Sequence, residues 1–241
     1  MSTLAKTSVL ENMSAFDKTY IVLCALFSVL IVICNLTYRK FIYLPLLPFH
    51  TFTLSVGAIL YPFMFMLTDL IAEFFDKKRA NFCVRLAIAM NIVAALIVTG
   101  MDYLQATPWS TIDNTIFHSV FGAYGLAFIA NMIACYAAQR IDINLYLWIK
   151  KITKGRWLWL RNNGSTVVSL FVDTFAAISL LTLLGVFPKE QMWLIMINSY
   201  SYKLFITVCN TPLFYLLVGT IRKFIVPSKM PSFAEPQLNP I

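Results

Sequence analysis

The chain has 241 residues, of which 59% are apolar and 12% are charged. Soluble domains average about 45–50% apolar and about 25% charged residues, so this composition excludes an ordinary soluble protein. The net charge of +8 does not indicate a nucleic-acid partner, because the basic residues are concentrated at the ends of apolar segments. Orientation in a membrane and contact with anionic membrane lipid account for basic residues at those places.

Six apolar segments are long enough to cross a hydrocarbon core about 30 Å thick as helices. We therefore predict an all-α integral membrane protein with six transmembrane helices. Residues 18–224 would form the membrane domain, residues 1–17 an N-terminal cytoplasmic segment and residues 225–241 a flexible C-terminal tail. The predicted spans cover residues 20–38, 55–75, 82–101, 116–138, 165–186 and 192–218.

Three features interrupt this simple pattern of spans. Pro45 and Pro48 break the apolar segment 39–53, which predicts a short extended hairpin after the first span. Basic residues alternate with tryptophans in segment 140–161, which predicts a helix lying at the membrane interface between the fourth and fifth spans. Pro62 removes one helical hydrogen bond within the second span and predicts a kink there.

The distribution of basic residues predicts the orientation. With both termini in the cytoplasm, the cytoplasmic segments contain fourteen Lys and Arg residues and the outer loops contain three. The positive-inside rule favours this orientation over its reverse. The predicted hairpin after the first span is then extracytoplasmic.

Residues suited to metal binding or catalysis are not clustered in the sequence. The five cysteines lie within or at the edges of the spans without CxxC spacing, and the two histidines lie in separate outer segments. We therefore expect no metal site and no cofactor. Asp69 and Asp173 could belong to an intramembrane protease, but neither lies in a GxGD motif. We do not expect an enzyme.

Five charged residues lie inside the predicted spans. Asp69 and Glu73 are four residues apart in the second span and therefore share one helix face. Arg85, Asp173 and Lys203 lie in other spans. Each charge would cost about 3 kcal/mol or more near the bilayer centre, so together they indicate a polar cavity. Salt bridges that lock the helices together are the alternative interpretation.

The depth of each charge in the membrane predicts which charges pair. At about 1.5 Å per residue, Lys203 and Asp173 lie at similar heights, so we expect an ion pair between them. Arg85 either extends its side chain to the interface or pairs with Asp69 or Glu73. One carboxylate is left without a cation, and we expect it to be Glu73, which could carry a proton in a coupled transport cycle.

The most specific motifs are the P-x6-D-x3-E spacing that begins at Pro62, the segment 165–174 ending in Asp-Thr, and Lys203 nine residues before Pro212. In these motifs the chain resembles the queuosine precursor transporter family, also called the vitamin uptake transporter family, over residues 35–217. The resemblance implies a six-span bacterial inner-membrane importer. Its substrates would be 7-deazaguanine bases, in the cyano or aminomethyl form or as queuine, which are salvaged for tRNA modification.

The intramembrane carboxylates suit such a base. A guanine-like edge presents adjacent N–H donors that a carboxylate can accept, and aromatic rings can stack on the base. Asp69, Glu73 and Asp173 are the candidate acceptors. The further candidate substrate-binding residues are Asn35, Phe49, His50, Pro62, Asn198, Tyr200 and Lys203.

A second function also fits six spans around a small-molecule pocket. The chain could be the substrate-binding membrane subunit of an ATP-driven vitamin importer. Because the sequence has no P-loop, ATP would then be hydrolysed by a partner protein. Both a monomer and a homodimer are compatible with the sequence, as are passive and proton-coupled import.

Overall fold

The computed structural model describes residues 13–48, 50–122 and 126–225. Within these residues the chain is mostly helical, as predicted, and it contains one two-stranded hairpin. The elements are α1 (Ala15–Thr37), β1 (Phe41–Leu47), β2 (His50–Ser55), a 3₁₀ helix (Val56–Leu60), α2 (Tyr61–Phe74), α3 (Lys77–Asp102), α4 (Asn114–Phe121), α5 (Leu126–Ile152), α6 (Leu158–Leu183), a 3₁₀ turn (Lys189–Gln191), α7 (Met192–Cys209) and α8 (Thr211–Phe224).

The helices have the lengths and compositions of membrane spans. In the described part of the chain, four segments could cross a bilayer: Ala15–Thr37, Val56–Phe74, Lys77–Asp102 and Leu158–Leu183. The helices α7 and α8 meet at an angle of 46° and add a fifth span if the bent pair crosses as one unit. The protein is therefore a multi-pass membrane protein, whereas the predicted number of six spans stays a prediction.

The region of the predicted fourth span and interfacial helix differs from the prediction. The segment 116–138 is not one helix, because α4 ends at Phe121 and α5 begins at Leu126. The predicted interfacial helix in segment 140–161 is wrong, because α5 continues to Ile152 and α6 starts after a short turn. The long helix is stabilised by one continuous buried face on α5. That face consists of Cys135, Ala138, Gln139, Asp142, Ile143 and Tyr146.

The hairpin predicted in segment 39–53 is present. Phe41 pairs with Ser55 in antiparallel register, and the ladder is irregular between Leu44 and Leu47, where Pro45 has no N–H to donate. The hydroxyl of Ser55 donates to the backbone carbonyl of Tyr38 at 2.5 Å. This bond fastens the end of the hairpin to the end of α1.

Pro62 does not kink the middle of a helix. It lies in the first turn of α2, directly after the 3₁₀ helix, where a residue without an N–H is tolerated. The predicted second span, residues 55–75, is thus interrupted near its start rather than partway along. The span consists of the 3₁₀ helix followed by α2.

The central element is α2, which is buried on almost all sides. It packs against α1, α3, α5, α6, α7 and α8. Polar side chains on such a helix face protein rather than lipid. Asp69 is fully buried, and the side chain of Glu73 is 4% exposed. The environment of these two carboxylates is therefore set by the helices around α2.

Candidate functional site

A cavity of about 60 Å³ lies between α1, the start of α2, α5, α6 and α7. Small-molecule sites usually measure about 300–1,000 Å³, so this cavity must widen to admit a ligand the size of a nucleobase. Its polar lining consists of Tyr38, Ser55, Tyr61, Asn131, Asp173, Thr174, Ser199 and Lys203.

A buried ion pair forms the polar centre of the cavity. Lys203 Nζ lies 2.8 Å from Asp173 Oδ2 and donates to Thr174 Oγ1 at 3.1 Å. The same ammonium lies 4.1 Å from the centre of the Tyr61 ring, and this cation–π contact stabilises the charged form of Lys203. Asp173 Oδ1, in contrast, is buried without a hydrogen-bond donor. A buried acceptor without a donor is unfavourable, so a ligand N–H at this position would be stabilised.

Two amides on α5 and α1 support the wall of the cavity. Asn131 on α5 donates to Asn35 Oδ1 at 2.6 Å, and Asn35 on α1 donates to the carbonyl of Ile31 at 2.7 Å. Asn131 lines the cavity, whereas Asn35 lies behind it. The predicted residue Asn35 is thus next to a cavity residue that the sequence analysis did not select.

Two further predicted residues contact each other outside the cavity. His50 Nε2 lies 3.2 Å from Asn198 Oδ1, which connects β2 to α7. The amide nitrogen of Asn198 donates to the carbonyl of Leu194 in its own helix. The contact fastens the hairpin over the end of the bundle. Phe49, which was predicted beside His50, lies outside the described residues.

Tyr200 does not face the cavity. Its hydroxyl donates to the backbone carbonyl of Val167 at 3.1 Å, and its ring packs edge to face on Phe171. Phe171 is 53% exposed, so this contact lies on the outer side of α6 and α7. In this geometry Tyr200 joins two helices.

Glu73 belongs to a separate ionic cluster. Its Oε1 lies 2.7 Å from Arg161 Nη2 and 3.6 Å from Arg222 Nη2, and its Oε2 lies 3.1 Å from Lys150 Nζ. Tyr146 donates to Oε2 at 3.0 Å. The prediction that Glu73 is the carboxylate without a cation is wrong. Its partners come from α5, α6 and α8, which sequence spacing alone does not place near α2.

The predicted pairing of Arg85 with Asp69 or Glu73 is also wrong. Arg85 is exposed on α3 and forms no ion pair within the described residues. The interfacial position that the sequence left as the alternative fits this exposure.

Asp69 lies beside a carboxylate that the sequence analysis missed. Asp69 and Asp142 are both fully buried, and hydrogen bonds from Thr68 to Gln139 and from Tyr146 to Glu73 hold α2 and α5 in register on either side of them. Asp142 was overlooked because its segment was assigned to the membrane surface. The helical spacing of Cys135, Gln139, Asp142 and Tyr146 is the signal that could have revealed it.

The cavity and the Asp69 region are distinct places along α2. Asp69 is eight residues beyond Tyr61, which corresponds to about 12 Å of helix, and Glu73 is one further turn away. Neither carboxylate lines the cavity. The structure thus brings Asp173 and Lys203 together at the cavity and places Asp69 and Glu73 apart from them.

Comparison with known proteins gives the family. A family model described as "Putative vitamin uptake transporter" matches residues 55–217. A "Probable queuosine precursor transporter" from Bacillus subtilis (strain 168) is 28% identical over 164 residues, which cover 68% of this chain and 71% of that protein. No solved structure matches significantly. The family match covers more than half of the chain and confirms the resemblance seen in its motifs. The chain therefore belongs to the putative vitamin uptake transporter family.

Proposed function

We propose that this protein imports queuosine precursors across the bacterial inner membrane, with both termini in the cytoplasm. The substrates are 7-deazaguanine bases, in the cyano or aminomethyl form or as queuine. The Bacillus subtilis relative supports this class of substrate. The observation that carries the proposal is the buried, unpartnered Asp173 Oδ1 in a cavity within a membrane bundle.

The polar groups of the cavity are complementary to a guanine-like edge. Such an edge presents adjacent N–H donors and a neighbouring carbonyl acceptor. Asp173 accepts from the N–H donors and Lys203 donates to the carbonyl, while Asn131 offers an amide from α5. The ring of Tyr61 supplies an aromatic surface for the base. Asp173 is then the carboxylate that binds the base, whereas Asp69 and Glu73 do not contact it.

Two sets of contacts join the elements at the two ends of α2. At the hairpin end, the rings of Phe41 and Phe187 line the cavity and pack edge to face with centroids 5.3 Å apart. At the other end, the Glu73 cluster joins α2 to α5, α6 and α8. A transporter opens one end at a time, so these two sets of contacts would separate in turn during the import cycle.

The test measures uptake with and without the Asp173 carboxylate. Cells that cannot make 7-deazaguanines are supplied with labelled bases and given the wild type, Asp173→Asn or the control Asp113→Asn. Asp113 is exposed and caps α4, a role that Asn also fills. We expect uptake and tRNA queuosine with the wild type and the control, and loss of both with Asp173→Asn at equal protein levels in the membrane.

Each outcome bears on a different part of the proposal. Full uptake by a folded Asp173→Asn variant would overturn the binding role of Asp173. Absence of wild-type uptake would overturn the function itself. Uptake by the purified polypeptide in liposomes would exclude the ATP-driven alternative, whereas uptake that needs a copurifying ATPase would establish it.

A further inference from the structure

The contact between Asp69 on α2 and Asp142 on α5 has no place in the proposed binding cavity. Both residues are fully buried, and the hydrogen bonds from Thr68 to Gln139 and from Tyr146 to Glu73 hold α2 and α5 in register on either side of them. Neither forms an ion pair among the described residues. Asp69 Oδ1 and Oδ2 and Asp142 Oδ2 have no donor. Two acid groups are thus buried together without the counter-charge that Asp173 and Glu73 each have.

A proton between the two groups explains this arrangement. Repulsion between two nearby carboxylates and the loss of hydration both oppose ionisation of the second group. A protonated carboxyl has an O–H that can donate to the neighbouring carboxylate. One shared proton therefore supplies the donor that the facing oxygens of Asp69 and Asp142 lack. The pair then carries one negative charge instead of two.

Polar groups on α2, α5 and α6 surround the pair. Thr68 on α2 donates to Gln139 on α5 at 2.9 Å, and Ser169 on α6 donates to Asp142 Oδ1 at 2.8 Å. The buried atoms Gln139 Nε2 and Ser165 Oγ form no hydrogen bond, so the site offers polar contacts for a water molecule.

The charged neighbours form one cluster around Glu73. Arg161 on α6 is its buried partner, and Tyr146 on α5 is a hydrogen-bond partner of both. Lys150 and Arg222 also approach Glu73, but their side chains are 32% and 67% exposed. Solvent screens these two exposed charges, so a proton is the simplest cation for the buried pair.

We propose that Asp69 and Asp142 hold a shared proton and that this pair is the proton-binding site through which import is driven by a proton gradient. The inference rests on the proposed function. One O–H bond forms with a proton taken from water on one side, and it breaks to return the proton to water on the other. The pair lies between the cavity and the Glu73 cluster along α2. A change in the charge of the pair therefore acts on the cavity and on the cluster. It replaces Glu73 as the group that carries the proton.

The first test uses purified protein in liposomes and compares two modes of transport. Exchange of labelled for unlabelled base needs no proton gradient, whereas net uptake can be driven by one. With one proton per neutral base, a gradient of one pH unit supports about tenfold accumulation. We expect the wild type and the exposed control Asp113→Asn to accumulate base, while Asp142→Asn and Asp69→Asn retain exchange and lose accumulation. If a single variant fails to fold, the double variant Asp69→Asn with Asp142→Asn takes its place in the test, because its two amides form a neutral, hydrogen-bonded pair.

The second test observes the proton itself in the wild-type protein. A protonated carboxyl and a carboxylate absorb at different infrared frequencies, so the protonated form gives its own band at neutral pH. We expect this band in the wild type and its loss in the double variant. Its absence from the wild type would overturn the inference without the need for any variant.

The outcomes separate this inference from the proposed function. Failure of wild-type exchange would contradict the function. Wild-type exchange without accumulation in a pH gradient would leave the function standing and overturn the proton site. Gradient-driven accumulation by either single variant or by the double variant would also overturn it.

Discussion

Arg161 Nη2 donates to Glu73 Oε1 at 2.7 Å, although the two residues are 88 positions apart in the chain. Their side chains are 3% and 4% exposed. Tyr146 accepts from Arg161 Nε at 3.2 Å and donates to Glu73 Oε2 at 3.0 Å. These three side chains form a closed triangle of contacts between α2, α5 and α6.

This triangle predicts a large loss of stability when one charge is removed. Glu73→Gln leaves the buried cation of Arg161 without its anion, which typically costs about 3–5 kcal/mol. Arg161→Met should also destabilise the protein. The double variant should lose less stability than the two single variants lose in sum. The measurement is unfolding of the purified protein in detergent.

The matched control for that prediction is Arg79→Met. Arg79 pairs with Asp17 at 3.3 Å, but both side chains are almost half exposed. Solvent screens such a pair, so we expect no measurable change. If Glu73→Gln were as stable as this control, the triangle would not hold the helices together.

A second prediction concerns the ion pair in the cavity. Lys203→Met leaves the buried Asp173 carboxylate without its cation, at a typical cost of about 3–5 kcal/mol. Adding Asp173→Asn should recover part of that stability, because no buried charge is then unmatched. Uptake should stay absent in the double variant, since both binding groups are gone. Strict additivity of the two stability changes would contradict an energetic coupling between them.

The sequence was sufficient to predict the features of the structure that depend on local rules. Helix rise alone put Lys203 and Asp173 at similar depth, and the structure has them in contact. Pro45 and Pro48 indicated an extended segment after the first span, and a hairpin is present there. The apolar lengths of the helices indicated a membrane protein.

The missed part of the site depends on contacts between distant segments. Basic and aromatic residues are typical both of an interfacial helix and of a helix that continues beyond the bilayer core, so composition did not distinguish the two. Asp142 and Arg161 were therefore placed at the surface. The helical spacing around Asp142 could have revealed a buried face on α5, but no spacing rule specifies that α5 and α6 pack against α2.

A third prediction uses the close approach of the 3₁₀ helix to α1. Gly57 lines the cavity, and a Cβ at this position would collide with the backbone carbonyl of Cys34. Backbone atoms cannot rotate away as a side chain can, so Gly57→Ala should cost about 1–3 kcal/mol and reduce uptake. The measurements are unfolding in detergent and transport in liposomes.

Gly219→Ala is the control for the same substitution. A Cβ there meets no atom within 4 Å, and the residue lies inside α8. Ala favours a helix by up to about 1 kcal/mol over Gly, so stability should be unchanged or slightly higher. Equal behaviour of the two variants would mean that α1 and the 3₁₀ helix separate easily.

The last prediction makes Cys34 a reporter of cavity occupancy. Cys34 lines the cavity and is 2% exposed, so its thiol is reached when the cavity opens. In a variant that keeps Cys34 alone, we expect slow labelling by a small thiol reagent. The control variant keeps Cys209 alone, which is exposed and should react quickly. The residues to be replaced in the Cys34 variant are Cys24, Cys83, Cys135 and Cys209.

Addition of substrate should slow the labelling of Cys34 but not that of Cys209. At a substrate concentration ten times the dissociation constant, about one tenth of the protein has no substrate bound. The labelling rate of Cys34 should therefore fall about tenfold. Mass spectrometry of the labelled protein measures both rates. The Asp173→Asn change in the same background should abolish the protection, because the base loses its main acceptor. Protection of Cys34 that persists without Asp173 would place the binding groups elsewhere in the cavity, and no protection in the parent variant would place the substrate outside it.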